Sequence, residues 1–194
     1  LLPLLFLSGA IIMLFFCLLG GVTDHNPLNR VFFLQADTSN IPGAPPLTHF
    51  TMNNACDQRG GVNFACRGRK AASPMLPQQF FGTSTGVPQP FLRDPTKYYY
   101  LSRFTYAFYI ITIFFVLLAL LLNFLAIVST LATLVAAIMT GVALLSCAFL
   151  ACIMTAVYVQ AQNAFRGAGR FARVGVKVCM FHLFFFNEVI LTHT

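Results

Sequence analysis

The sequence predicts an all-α membrane protein: a bundle of four transmembrane helices carrying a large polar loop domain with a small β-sheet. Three observations carry this expectation. Of 194 residues, 58% are hydrophobic and only 9% charged, against about 25% charged in soluble globular chains. There are 22 phenylalanines and no tryptophan, and the mean hydropathy is +0.77; a soluble core of this size would need a far larger polar shell. Finally, apolar stretches long enough to cross a bilayer alternate with two polar segments.

Residues 1–22, "LLPLLFLSGAIIMLFFCLLGGV", form the first expected span, because about 20 apolar residues rising ~1.5 Å each cross a ~30 Å hydrocarbon layer. The chain starts at Leu1 without an initiator methionine, and we expect further residues before it. A secretory signal is the competing reading, but the apolar run exceeds the usual h-region of about 7–15 residues. Residues 23–100 change character: nine of the ten prolines fall there, with most of the Asn, Asp and Gln. This segment reads as one long loop domain.

From Phe104 to Phe165 the chain runs 62 residues without Asp, Glu, Lys, Arg, His or Pro. That is too long for one span and fits two, placed at 101–129 and 130–158, with the turn expected near Ser129 to Thr133. Residues 159–173 form a second loop. Residues 174–194 are a weaker fourth span carrying Lys177, His182 and Glu188, where the lysine can snorkel to the headgroups and the glutamate lies near the opposite end. Four spans put both chain ends on one side and both loops on the other.

The formal charge of +7 does not point to nucleic acid. The twelve Lys and Arg lie in two regions, Arg30 to Arg103 and Arg166 to Lys177, with no aromatic-interleaved surface that tracks phosphates. The positive-inside rule would draw both loops to the cytosol, but it counts loops of up to about 60 residues and the first is longer. The second is short, and its arginines stand against the opposite orientation.

Six cysteines divide into Cys17, Cys147, Cys152 and Cys179 within apolar spans, and Cys56 and Cys66 in the loop. Structural zinc wants four ligands and a short knuckle, which Cys56, Cys66, His25 and His49 do not supply by spacing. Redox catalysis wants C-x-x-C beside a βαβ unit. Between the loop pair, Gly60-Gly61 suggests a hairpin that would bring the sulfurs within bonding reach. A bridge there requires an oxidising compartment and hence an extracellular or luminal loop. Two free thiols in a cytosolic loop stay open beside it, on the strength of the basic residues.

Four stretches carry a family resemblance: "NPLNRVFFLQADTSNIPGAP" (26–45), "GTSTGVPQPF" (82–91), "YYLSRFTYAFYI" (99–110) and "MTAVYVQAQNAFRGAGRFARVGVK" (154–177). In this order, over nearly the whole chain, the sequence resembles the fungal Sur-seven/PalI tetraspan family, and its Sur-seven branch more than PalI-type members. The resemblance implies a claudin-like layout: four helices, a large first extracellular loop with a W…C…C signature, and cytoplasmic termini. Cys56 and Cys66 match the two signature cysteines and are implied to be disulfide-bonded. The tryptophan has no counterpart; Phe50 and Asn53 stand near its place. The implied role is non-enzymatic organisation of a plasma-membrane domain of the eisosome-associated kind, with influence on endocytosis and cell-wall organisation.

No catalytic, cofactor-binding or metal-binding residues are predicted, since nucleophile, P-loop, dinucleotide and paired-carboxylate patterns are absent from the sequence. Arg166, Arg170, Arg173 and Lys177 follow helical spacing and form a candidate contact surface if the last span extends backwards. Ala137, Gly141, Ala148, Cys152 and Ala156 put small residues on one face of the third span, a candidate helix-packing seam. Expected partners are membrane lipids and a homo-oligomer or lateral assembly with other membrane proteins. The alternative is an accessory subunit of a membrane enzyme, transporter or pH-sensing complex. An ion pathway is disfavoured, because His182 and Glu188 are six apart and the other spans offer no ionisable partner.

Overall fold

A computed structural model describes residues 2–23, 25–67 and 72–175. The fourth expected span, with Lys177, Cys179, His182 and Glu188, lies outside them apart from its first two residues.

Three apolar helices make the lower part of the molecule. Helix α1 (Leu2–Leu19) packs against α4 (Pro95–Leu125), which packs in turn along α5 (Thr130–Gly167). Helices α4 and α5 are each long and apolar enough to cross a membrane. Pro95 opens α4 at its first position, where the missing N–H costs nothing. The chain reverses at 126–129, just before the expected turn.

The buried stripes repeat at helical spacing. On α1 they are Leu7, Ile11, Leu14 and Cys17, and on α4 Tyr98, Thr105, Tyr109, Thr112, Val116 and Ala119. Large apolar residues face outward along α4 and α5, among them Phe114 and Leu121 on α4 and Ile138, Leu145 and Phe149 on α5. In lipid such an outer surface is solvated, while polar groups must find partners within the bundle. They do: the Tyr109 hydroxyl donates to the Leu14 carbonyl at 2.9 Å, and Asn123 Nδ2 donates to Thr140 Oγ1 at 2.9 Å.

Above the helices lies a polar domain built on five antiparallel strands: β1 (Leu34–Asp37), β2 (Leu47–Phe50), β3 (Ala55–Arg59), β4 (Val62–Arg67) and β5 (Ala172–Val174), in the order β4-β3-β2-β1-β5. Two short helices, α2 (Pro77–Phe81) and α3 (Gln89–Arg93), lead back to α4. One sheet face carries Leu34, Ala36, Phe50, Ala55 and Ala172, all buried. The polar domain joins α5 through aromatic contacts: Phe50 of the sheet with Phe165 at 6.0 Å, Phe91 of α3 with Phe165 at 5.5 Å, and Phe33, just before β1, stacked on Tyr158 at 5.0 Å.

Two expectations are corrected. The segment 159–173 is not simply a loop, because α5 runs on to Gly167 and β5 completes the sheet. The helix that was expected to align Arg166, Arg170 and Arg173 does not exist: Gly169 takes φ +73 and ends α5. These arginines therefore occupy a helix end, a turn and a strand.

Candidate functional site: a disulfide-pinned sheet clamped to the helices

The β3–β4 hairpin turns at Gly60 and Gly61, with φ +57 and +83; both are in the left-handed region where glycine is least strained. The register is Asp57 opposite Phe64 and Gln58 opposite Asn63, then slips between Ala55 and Asp57. Ala65, with φ +44, takes up the extra residue as a bulge. The slip sets Cys56 beside Cys66, and the two form a disulfide. Of the two readings of this pair that the sequence left open, the structure has the bridge.

Cys56 belongs to a transverse row. The pairings Gln35 with Arg173, Gln35 with His49 and His49 with Cys56 put the four side chains on the face turned away from the helices. Arg173 Nε donates to Gln35 Oε1 at 2.7 Å. His49 Nδ1 lies 2.7 Å from Asn63 Oδ1, while Asn63 Nδ2 donates to the Val31 carbonyl at 2.7 Å. Because that second bond fixes the amide orientation, Nδ1 of His49 carries the proton and Nε2 is bare. The ring is buried and stacks on Phe32 at 4.0 Å; Nε2 has no hydrogen-bond partner among the described residues. Burial holds the His49 pKa below its ordinary value, the Asn63 bond pulls the other way, and the charge of Arg173 lowers it further.

The β2–β3 turn grips the end of α1. Thr51 Oγ1 accepts from the Asn54 N–H at 2.9 Å and donates to the Asn54 carbonyl at 3.0 Å, which shapes the turn. Asn53 Nδ2 then donates to the Leu18 carbonyl at 2.5 Å and Asn54 Nδ2 to the Gly21 carbonyl at 2.6 Å. These are acceptors at and just past the helix C-terminus, of the kind a helix cannot satisfy internally. Gly21 has φ +77, and a Cβ there would run into the Thr51 hydroxyl. Asn53, expected only to stand near the place of the missing tryptophan, forms with Asn54 a helix clamp, and the Asn-Asn pair beside Cys56 is its signal in the sequence.

The three described arginines of the candidate contact surface all donate internally. Arg166 Nε donates to the Ala172 carbonyl at 2.9 Å, Arg173 to Gln35, and Arg170 to the Gly86 carbonyl. They tie the second polar segment to the first. The candidate packing seam on α5 is not the face that meets α4. Ala137, Cys152 and Ala156 are exposed, and Gly141 and Ala148 half-buried. The face that meets α4 is one residue round, through Ala136, Thr140 and Ala143. That stripe is equally small, and Thr140 gives it the bond to Asn123.

Two helices long and apolar enough to cross a membrane, joined to a disulfide-pinned sheet, define the class as an integral membrane protein with a folded polar part. The SUR7/PalI family model matches residues 1–189, and the chain belongs to that family. It is 37% identical over 175 residues to Protein SUR7 of Candida albicans, covering 90% of this chain and 64% of that protein. It is 36% identical over 179 residues to SUR7 family protein FMP45 of Saccharomyces cerevisiae, covering 91% and 58%. A third relative, at 34% over 184 residues, covering 90% and 59%, is described as the uncharacterized plasma membrane protein YNL194C of Saccharomyces cerevisiae. The chain thus spans about six-tenths of the length of these relatives. No solved structure matches.

Proposed function

We propose that the protein is a non-enzymatic structural component of the fungal plasma membrane, a claudin-like tetraspan that organises an eisosome-associated domain and thereby influences endocytosis and cell-wall organisation. It spans the bilayer four times, with the fourth span following β5 in the segment expected at 174–194, both termini cytoplasmic and the sheet extracellular. Its partners are membrane lipids and neighbouring copies or other membrane proteins.

The observation that carries this reading is the Cys56–Cys66 bridge within a sheet fastened to two apolar helices by side-chain bonds. A disulfide belongs to an oxidising compartment, so it supports placing the sheet outside. A rigid platform on a lipid-facing stalk suits lateral contacts. Plasma-membrane residence is supported by the printed description of the YNL194C relative.

The test is purification of the native assembly from fungal membranes in mild detergent, with identification of co-migrating chains, beside imaging of the tagged protein. Stable plasma-membrane patches and self-association support the proposal. A stoichiometric enzyme or transporter would replace it with the accessory-subunit reading.

A further inference from the structure

The helical hairpin of α4 and α5 is longer in its apolar part than an ordinary membrane requires. On α4 the last charged side chain is Arg103, stacked on Tyr99 at 4.9 Å and so directed back toward the polar domain. From Phe104 to Leu125, where α4 ends, no charged residue occurs, and these 22 residues rise ~33 Å at about 1.5 Å each. On α5 the stretch from Leu131 to Val157, 27 residues, rises ~40 Å before Tyr158, which stacks on Phe33 of the polar domain. An average hydrocarbon core is ~30 Å, and thick plasma membranes reach about 32–33 Å.

The tip of the hairpin continues the lipid-facing surface instead of ending it. Ile127 is 67%, Val128 88% and Leu131 77% exposed, an unfavourable arrangement in water. The turn also pairs much of its own backbone. The N–H groups of Ala126, Ile127 and Val128 donate to the carbonyls of Leu122, Phe124 and Leu125 at 2.9, 3.3 and 3.1 Å. The Thr133 hydroxyl lies 3.3 Å from the Ala126 carbonyl as its donor. Close behind, Asn123 is paired with Thr140. Such local pairing is what backbone and amides need where water is scarce.

We propose that the hairpin is matched to a bilayer thicker than average, with Ile127, Val128 and Leu131 seated against acyl chains at the far boundary. This rests on the membrane reading above and adds a lipid preference to it: long-chain, well-ordered bilayers are favoured, and thin ones must thicken or tilt the helices at a cost.

The full chain is to be reconstituted into vesicles of mono-unsaturated phosphatidylcholines with chains of about 14 to 24 carbons. Flotation with alkaline extraction reads insertion, and the thermal midpoint of helical circular dichroism reads the match. Insertion with the highest midpoint at ~22 carbons or more, at least ~5 °C above that at about 18 carbons, is expected. Val128→Lys, which shortens the apolar span, moves the optimum to shorter chains. Insertion with an optimum below ~22 carbons, or with a gain over about 18 carbons smaller than ~5 °C, overturns the thickness match while leaving the membrane reading intact. Failure to insert at every chain length overturns the membrane reading itself. The wild-type series decides the matter without the variant.

Discussion

His49 finds no acceptor among the described residues for a proton added at Nε2. Its Nδ1–H is committed to Asn63, its Nε2 is buried and bare, and the charge of Arg173 opposes a second positive charge. The folded pKa therefore lies below the 6.5 of the free side chain. The unfolded chain binds a proton more readily between those two values. Stability due to His49 is thus fully present above about 6.5 and falls as pH drops through the window below it, by up to ~1.4 kcal/mol per pH unit until the folded pKa is reached. A His49→Gln variant is predicted to flatten that decline, as read from thermal midpoints across this window. The Asn53 and Asn54 amides act differently, through geometry alone. Replacing either by alanine strands a carbonyl at the end of α1, at a cost of about 1–3 kcal/mol. We predict a lower thermal midpoint and faster hydrogen exchange in residues 15–22, with the disulfide still formed. The cysteine pair and its hairpin were legible in sequence because Gly60-Gly61 has a local signature. The clamp was not, since Asn53 and Leu18 are 35 residues apart and nothing local joins them.

At the scale of elements, the second polar segment does work that spacing alone misassigned. Arg166, Arg170 and Arg173 follow helical periodicity, but glycines at 167 and 169 weaken a helix more than charge spacing strengthens it. The segment instead turns and adds β5 to the edge beside β1. Arg170 then reaches the Gly86 carbonyl across 84 residues, and Asp37 N–H meets the Phe171 carbonyl at 2.8 Å. Arg170→Ala is predicted to loosen this junction: proteolysis should become faster near residues 82–88 and 168–174 together, with the helices unaffected. Cleavage confined to one segment would show that the two are not coupled. The α4–α5 hairpin was legible from 62 uncharged residues, and its turn fell close to the expected place. Its packing face was not, because α5 offers two adjacent small-residue stripes, and only the Asn123–Thr140 bond tells them apart.

The whole molecule divides its labour between two solvents. Hydrophobic residues on α1, α4 and α5 serve the membrane on the outside and each other on the inside. The polar domain builds its own small core around Leu34, Phe50, Phe91 and Phe165. That core is modest, and a bridge closing about ten residues contributes roughly 2–4 kcal/mol to it. The aromatic cluster of Phe50, Phe80, Phe91, Tyr98 and Phe165 joins sheet to helices, and the asparagine clamp fastens α1. Composition announced the membrane, and the polar interruption announced the domain. The sheet's order was hidden, because its fifth strand comes from more than a hundred residues downstream of β4.

The proposed orientation turns this disulfide-pinned sheet outward from the plasma membrane. It is tested most directly by labelling intact fungal cells with a membrane-impermeant thiol reagent, in a chain whose cysteines other than Cys56 and Cys66 are alanine. Labelling of intact cells only after reduction is the expected result. Labelling that needs permeabilisation and no reductant would contradict it.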